Sequence, residues 1–252
     1  MKIIGILGNA GCGKDTVGEM ILTRLRGKAL ALAQPLKEFA GVVYGFNAEQ
    51  LWGPSEKRNA FDPTYDKTNP GIARNWSLAM KQFENYAPYW LRRILPGNMD
   101  CDKVLAILRE WFYTTQKTDQ LSPRYILQTL GTEFGRSVYP DTWIDYGINQ
   151  AHKYLNDGLD VVVITDVRFL NEAKEIREQN GEIWHLVRFE DKGAAAQQAG
   201  VQGHASEMEQ LKPEMKQYVT ETIYNTRTLE ALRVLVERLI LGLRVKWNIP
   251  FT

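Results

Sequence analysis

Residues 2–16 read KIIGILGNAGCGKDT, and this stretch decides the fold. Lys2–Leu7 is short, apolar and β-branched, the composition of a strand covered on both faces. Gly8-Asn9-Ala10-Gly11-Cys12-Gly13-Lys14-Asp15 then matches G-x-x-x-x-G-K-[ST] except at its last position, where Asp15 replaces Ser or Thr and Thr16 follows. Glycines permit a tight loop whose successive N–H groups point at phosphate oxygens, and the following helix adds partial positive charge at its N-terminus. Lys14 reaches the β- and γ-phosphates in such a loop. Between a buried strand and an amphipathic helix, the motif predicts nucleoside triphosphate binding.

Outward from this loop, Lys14–Arg26 reads as a helix with Val17, Met20, Ile21 and Leu25 on one face, and Lys28–Leu32 as a second strand. Pro35 fits the first turn of a helix running toward Val43. The span from Trp52 to Pro96 holds five of the ten prolines and reads as loop-rich, with one short helix near Ala79–Tyr86. Helices are expected near Lys103–Thr114, Pro123–Ser137 and Thr142–Asn156. Asp160–Ile164 is the clearest core strand, followed by a helix near Asn171–Gln179 and a strand over Glu182–Val187. Residues 193–203 are rich in Ala, Gln and Gly. Tyr218–Ile223 reads as a last strand and Thr228–Trp247 as an apolar amphipathic helix. Its Leu229–Leu243 stripe reads as core, with extension into a homodimer contact left open. Strands alternating with helices imply a parallel sheet covered on both faces.

Composition narrows the class. The chain has 252 residues, 31 Lys plus Arg against 30 Asp plus Glu, and net charge +1. Such a balance gives no general pull toward nucleic acid or membrane, so an anion site must be local. Two cysteines, one inside the loop, read as free thiols in a reducing compartment. No signal peptide or membrane span is apparent, and a cytoplasmic location is expected.

The strand ending at Thr165 delivers Asp166 and Arg168 to the carboxyl edge, where open α/β sheets bind ligands. Asp166 suits metal-bound water or an acceptor group, and Arg168 can fork onto a phosphate. An ion pair with a helix cap is the plainer reading of the two. Asp15 has three readings: a Mg²⁺ contact made with Thr16, a group facing an acceptor, or a helix-start acid.

GNAGCGKDT at Gly8–Thr16, QTLGTEFGR at Gln128–Arg136, ITDVRFLNE at Ile164–Glu172 and GHASE at Gly203–Glu207 occur in this order. Together they resemble the deoxynucleoside monophosphate kinases of tailed bacteriophages. The resemblance spans most of the chain and is weakest over residues 52–119. It implies a three-layer α/β fold like that of P-loop nucleoside monophosphate kinases. A parallel sheet of about five strands would carry a helical acceptor-binding insertion over 33–158 and a lid over 188–207.

The resemblance also implies roles. Asn9, Ala10, Gly11, Cys12, Gly13, Lys14, Asp15 and Thr16 would hold ATP with Mg²⁺, and Asp15 and Thr16 would meet the metal. Lys37, Arg124, Gln128, Gly131, Thr132, Arg136 and Trp143 would line the deoxynucleotide pocket, and Asp166, Arg168 and Glu172 would complete it. Arg188 would enter the lid and reach the transferring phosphoryl group. The catalytic set is then Lys14, Asp15, Asp166, Arg168 and Arg188, acting in the cytoplasm of a bacterial host. Plainer readings stand beside several of these: core for Trp143, helix surface for Gln128, helix-start acid for Glu172 and Glu207, loop for His204. Cys12 and Ala33 depart from the Ser-like and polar residues expected at their positions. Competing classes are a phosphomevalonate-kinase-like enzyme and a non-kinase P-loop NTPase. The former lacks need for a base pocket; the latter should show NKxD or a basic platform.

Overall fold

A strand with no exposed residue anchors the architecture: β1 (Ile3–Leu7) is buried along its whole length. In the computed structural model, which describes residues 1–9, 11–119, 121–188, 212–225 and 228–250, β1 pairs in parallel with both β3 (Val161–Val167) and β4 (Glu182–Arg188). The edges are β2 (Gly27–Leu30), paired with β3, and β5 (Glu221–Asn225), paired with β4. The order is β2-β3-β1-β4-β5, all parallel. The chain turns back across the sheet beside β1, so the end of β1 is a switch point.

Alternation along β1 sorts the two faces. Ile4 and Ile6 join Val17 and Ile21 of α1 (Lys14–Leu22) and residues of the C-terminal helix in one buried cluster. The space beside Gly5 opens to the opposite face, where a Cβ would meet Ile183, Val167 and Ile176. The expected strands and helices around this sheet are present, with ends shifted by a few residues. The first helix stops at Leu22, short of the expected Arg26.

The described chain forms two compact units: Met1–Leu32 with the described residues from Gly147 onward, and Ala33–Tyr146. The second is helical. It contains α2 (Gln34–Tyr44), the short α3 (Ala48–Trp52) and α4 (Ser55–Asn59), α5 (Ile72–Ile94), α6 (Cys101–Thr115) and α7 (Pro123–Gln128). A π-helical turn follows over Thr129–Arg136, and α8 (Thr142–Asn156) runs on into the first unit. The loop-rich reading of Trp52–Pro96 is corrected. In place of a short helix, α5 runs 23 residues straight through Pro88. Proline removes one i→i−4 bond and crowds the preceding turn. The buried row Ala79, Phe83, Ala87, Trp90, Leu91 and Ile94 outweighs that cost. Phe39 of α2 meets Trp90 and Phe83 at centroid distances of 4.5 and 6.1 Å, Phe83 meets Phe112 at 4.7 Å, and Trp90 donates its indole N–H to Pro35 O at 2.9 Å.

In the first unit, α9 (Leu170–Glu178) follows β3, and α10 (Leu229–Trp247) closes the described chain. Leu232, Val236, Ile240 and Leu243 of α10 are core, as the stripe predicted. Leu229, Val234, Leu241 and Val245 stay exposed. Among the described residues no helix is long and apolar enough to cross a membrane.

His185 lies on β4 in register with Leu7 and Thr222, half-buried. Burial holds its pKa below the ordinary 6.5, and Lys216 adds to the depression. The unfolded chain then binds the proton more readily. Stability is full above about pH 6.5 and falls as pH drops from there through the lower folded value. We expect His185→Asn to flatten this part of the denaturation-free-energy profile between about pH 7.5 and 5. An unchanged slope would assign the pH dependence to other groups.

Candidate active site

Positive φ shapes the loop after β1. Gly8 adopts φ +152°, where a Cβ would lie 2.5 Å from Leu186 O, and Gly13 adopts φ +104°. Neither position admits a side chain without strain. Gly13 caps α1, and its carbonyl accepts from Val17 N at 3.0 Å, so the helix begins at Lys14 with its amino end facing the loop. Ala10 lies outside the described residues.

Lys14 curls over the loop it follows. Its Nζ donates to Gly8 O at 2.6 Å and Asn9 O at 2.7 Å, and lies 4.0 Å from Cys12 Sγ. Burial lowers its pKa most. Cys12, Asp15 and Asp166 act the other way, and Arg168 adds to the lowering. Asp166 of β3, Arg168 just after it and Asp15 at the start of α1 thus lie within electrostatic reach of the loop lysine. Asp15 is exposed in the first turn of α1, and Thr16 beside it is half-buried. The loop backbone is held from β4 and β5: Arg188 Nη1 donates to Gly11 O at 3.2 Å and Asn225 Nδ2 to Cys12 O at 3.0 Å.

Around β3, side chains fix backbone as well as carry charge. Asp166 Oδ1 accepts from the buried Leu32 N–H at 2.7 Å, which ties the chain leaving β2 to β3. Glu172 is 3% exposed, and its Oε2 accepts from the N–H groups of Arg168 at 2.8 Å and Phe169 at 3.0 Å. It occupies the third position of α9, so this is the helix-start role that the sequence left open. The carboxylate holds the turn that presents Arg168.

Within the helical unit, the QTLGTEFGR segment has an unusual backbone. Thr129 Oγ1 donates to Tyr125 O at 3.0 Å, Trp143 Nε1 to Gly131 O at 2.8 Å, and Thr142 Oγ1 to Gly135 O at 3.1 Å. Side chains here engage carbonyls that serve the ladder in an ordinary helix, and the turn widens to π geometry. Trp143 is 4% exposed, and a Cβ on Gly135 would stand 2.2 Å from its ring. The indole therefore packs as a wall of this turn. Gln128 enters the turn 8% exposed, and neither amide atom has a hydrogen-bond partner among the described residues. A buried amide left so costs free energy. Arg124 Nε donates to Asn59 Oδ1 at 3.0 Å, and the Lys37 ammonium lies 3.8 Å from the Trp52 ring centroid. Thr132 and Arg136 are half-buried in the π turn. Expected lid residues beyond Arg188, His204 and Glu207 included, lie outside the described residues. Sequence reasoning missed Asn225, whose strand, ETIYN, carries no motif.

The sequence profile of the deoxynucleotide monophosphate kinase family matches residues 2–234. The chain belongs to this family. It is 30% identical over 197 residues to the deoxynucleoside-5'-monophosphate kinase of Escherichia phage T5, covering 71% of this chain and 72% of that one. It is 23% identical over 218 residues to a putative deoxynucleotide monophosphate kinase of Acanthamoeba polyphaga mimivirus, covering 83% and 82%. Among solved structures, a dephospho-CoA kinase from Campylobacter jejuni aligns over 96% of each chain at 13% identity and TM-score 0.38, too loose a likeness to carry weight.

The bond that Asp166 makes to Leu32 N–H and the charge it carries are separable by substitution. Asp166→Asn keeps an oxygen for Leu32 N–H and loses the charge. Asp166→Ala also orphans a buried donor, at about 1–3 kcal/mol. We expect the Asn variant to melt near wild type while turnover falls about 10–100-fold, and the Ala variant to lose both. Full turnover in Asp166→Asn would limit the residue to its structural duty.

Proposed function

We propose that this member of the deoxynucleotide monophosphate kinase family transfers the γ-phosphoryl group of ATP to the phosphate of a deoxynucleoside monophosphate. An acceptor phosphate oxygen forms a new bond to the γ-phosphorus, the bond from that phosphorus to the β–γ bridging oxygen breaks, and ADP leaves. The nucleophile is already anionic near neutral pH, so no activating base is required. Catalysis is positioning and charge neutralisation.

The observation that carries this reading is the gathering of Lys14, Asp15, Asp166 and Arg168 at the carboxyl edge of the sheet, in a chain of this family. Asn9–Thr16 would hold the donor phosphates through loop N–H groups and Lys14. The oxygen donors of Asp15 and Thr16 suit Mg²⁺, which would neutralise charge on the donor phosphates. Among the described residues no group of three or more His, Cys, Asp or Glu side chains forms a metal cage. Substrate phosphates and water would supply most of such an ion's shell. Lys14 exchanges its loop carbonyls for phosphate oxygens when the donor binds.

Arg168 is assigned to the acceptor phosphate, and Arg188 to charge on the transferring group. Asp166 orders water or the acceptor, and Glu172 acts through the turn it caps. In the helical unit, Lys37, Arg124, Thr132 and Arg136 supply polar contacts, and Gly131 with Trp143 shapes the wall. Gln128 reads the base, since a carboxamide offers one donor and one acceptor to a base edge.

A coupled ADP-release assay with ATP and Mg²⁺ tests the substrate class against dAMP, dGMP, dCMP, dTMP, UMP and phosphomevalonate. We expect turnover with at least one deoxynucleotide and none with phosphomevalonate; the reverse pattern would sink the reading. For Arg168→Ala we expect kcat to fall about 10³-fold or more with ATP affinity nearly intact. Lost ATP binding with normal acceptor affinity would move Arg168 to the donor.

A further inference from the structure

Arg188 and Asn225 are register partners at the carboxyl ends of β4 and β5. Their side chains engage successive carbonyls of the phosphate loop: Arg188 holds Gly11 O at 3.2 Å, and Asn225 holds Cys12 O at 3.0 Å. Peptide planarity gives these bonds a direction. In a trans peptide the C=O and the following N–H point opposite ways, and the described chain contains no cis bond. A Cys12 carbonyl drawn to β5 turns the Gly13 N–H away from β5. A Gly11 carbonyl drawn to Arg188 turns the Cys12 N–H the other way, where it donates to Asn9 O at 3.3 Å.

The two clamps differ in kind. The guanidinium of Arg188 is exposed and charged, and the proposed mechanism sends it to a phosphoryl group. The carboxamide of Asn225 is neutral and half-buried, and its Nδ2 lies 3.2 Å from where a Gly13 Cβ would be. It packs against a loop glycine held at positive φ, the residue just before α1.

We propose that Asn225 is a positioning residue for the donor: its carboxamide fixes the Cys12–Gly13 peptide so that the Gly13 N–H is presented to a donor phosphate. The proposal rests on reading the loop as the donor site. It gives the edge strand β5 a function, since β5 places a single side-chain donor behind the loop. The amide acts through the backbone and touches no reacting atom. Its loss relaxes the peptide and costs ordering when phosphate binds, while the acceptor side is unaffected.

The test is ADP binding to the full chain by titration calorimetry, with no acceptor present, for wild type, Asn225→Ala and Asn225→Asp. The Asp variant keeps the shape, removes the donor and adds a charge facing both a carbonyl and the phosphates; it also serves if the Ala variant fails to fold. We expect ADP affinity to fall about 5–10-fold in Asn225→Ala, the loss of one hydrogen bond, and further in Asn225→Asp. In steady-state assays KM for ATP rises while acceptor KM stays within about twofold. Unchanged ADP affinity in both variants overturns the proposal. So does a parallel loss of ADP and acceptor affinity that tracks a fall in melting temperature, since that pattern marks a structural residue. Wild-type protein that fails to bind ADP overturns the donor-site reading itself, and this proposal with it.

Discussion

Parallel pairing of β1 with two buried neighbours is the constraint on which the site depends. Ile4 pairs with Val163 on one side and Glu182 on the other, and the five strand residues have no access to water. Strand register admits no partial error, because a slip of one residue exchanges the two faces. Such a slip would carry Ile4 and Ile6 out of the cluster shared with α1 and α10 and drive side chains into the space that Gly5 leaves for Ile183 and Ile176. With β1 fixed, the ends of four strands are fixed as well. β1 ends at the phosphate loop, β3 carries Asp166 and leads into Arg168, β4 ends at Arg188, and β5 ends at Asn225.

At those ends, polar side chains hold backbone groups in place. Asp166 holds Leu32, Glu172 holds the turn carrying Arg168, and Arg188 and Asn225 hold the loop. The physical reason is common to all. Backbone groups at irregular turns next to a buried sheet must find partners, and an unmade bond there costs more than a made one contributes. The same accounting explains Lys14. A half-buried ammonium needs acceptors, and Gly8 and Asn9 carbonyls supply them at 2.6 and 2.7 Å. In the proposed mechanism donor phosphates would replace those acceptors with charged ones, so the lysine would not be desolvated afresh.

The sheet and its loop were legible because apolar runs and glycine spacing are local signals. Ile3–Leu7, Val161–Ile164 and Gly8–Lys14 each declare themselves within a few residues. The helical unit was less so. Pro88 is a local signal against helix, and what overrides it is the packing of Phe83 and Trp90 on Phe39, a contact with a residue more than 40 positions away in the sequence. The π turn could not be read for the same reason. It depends on Thr142 and Trp143 reaching carbonyls of Gly135 and Gly131. Residue types at Asp166 and Glu172 pointed to chemistry, but one oxygen of each is engaged by backbone N–H, a role that appears only with the turn in place. Asn225 carried no signal at all.

Charge around the loop lysine is nearly balanced: Lys14 and Arg168 lie with Asp15 and Asp166, in a chain whose net charge is +1. Such a set provides little long-range attraction for two phosphate-bearing ligands, especially across a physiological screening length of about 8 Å. Discrimination and affinity must come from directed donors at short range. The orientation of each loop N–H then matters more than the total of positive charge, and the neutral carboxamide of Asn225, which holds Cys12 O, is the group proposed to set it at Gly13. A carboxylate pair among the cations serves the same end. It lowers the general pull on anions, so that selectivity would fall to ligands matching the geometry of the donors.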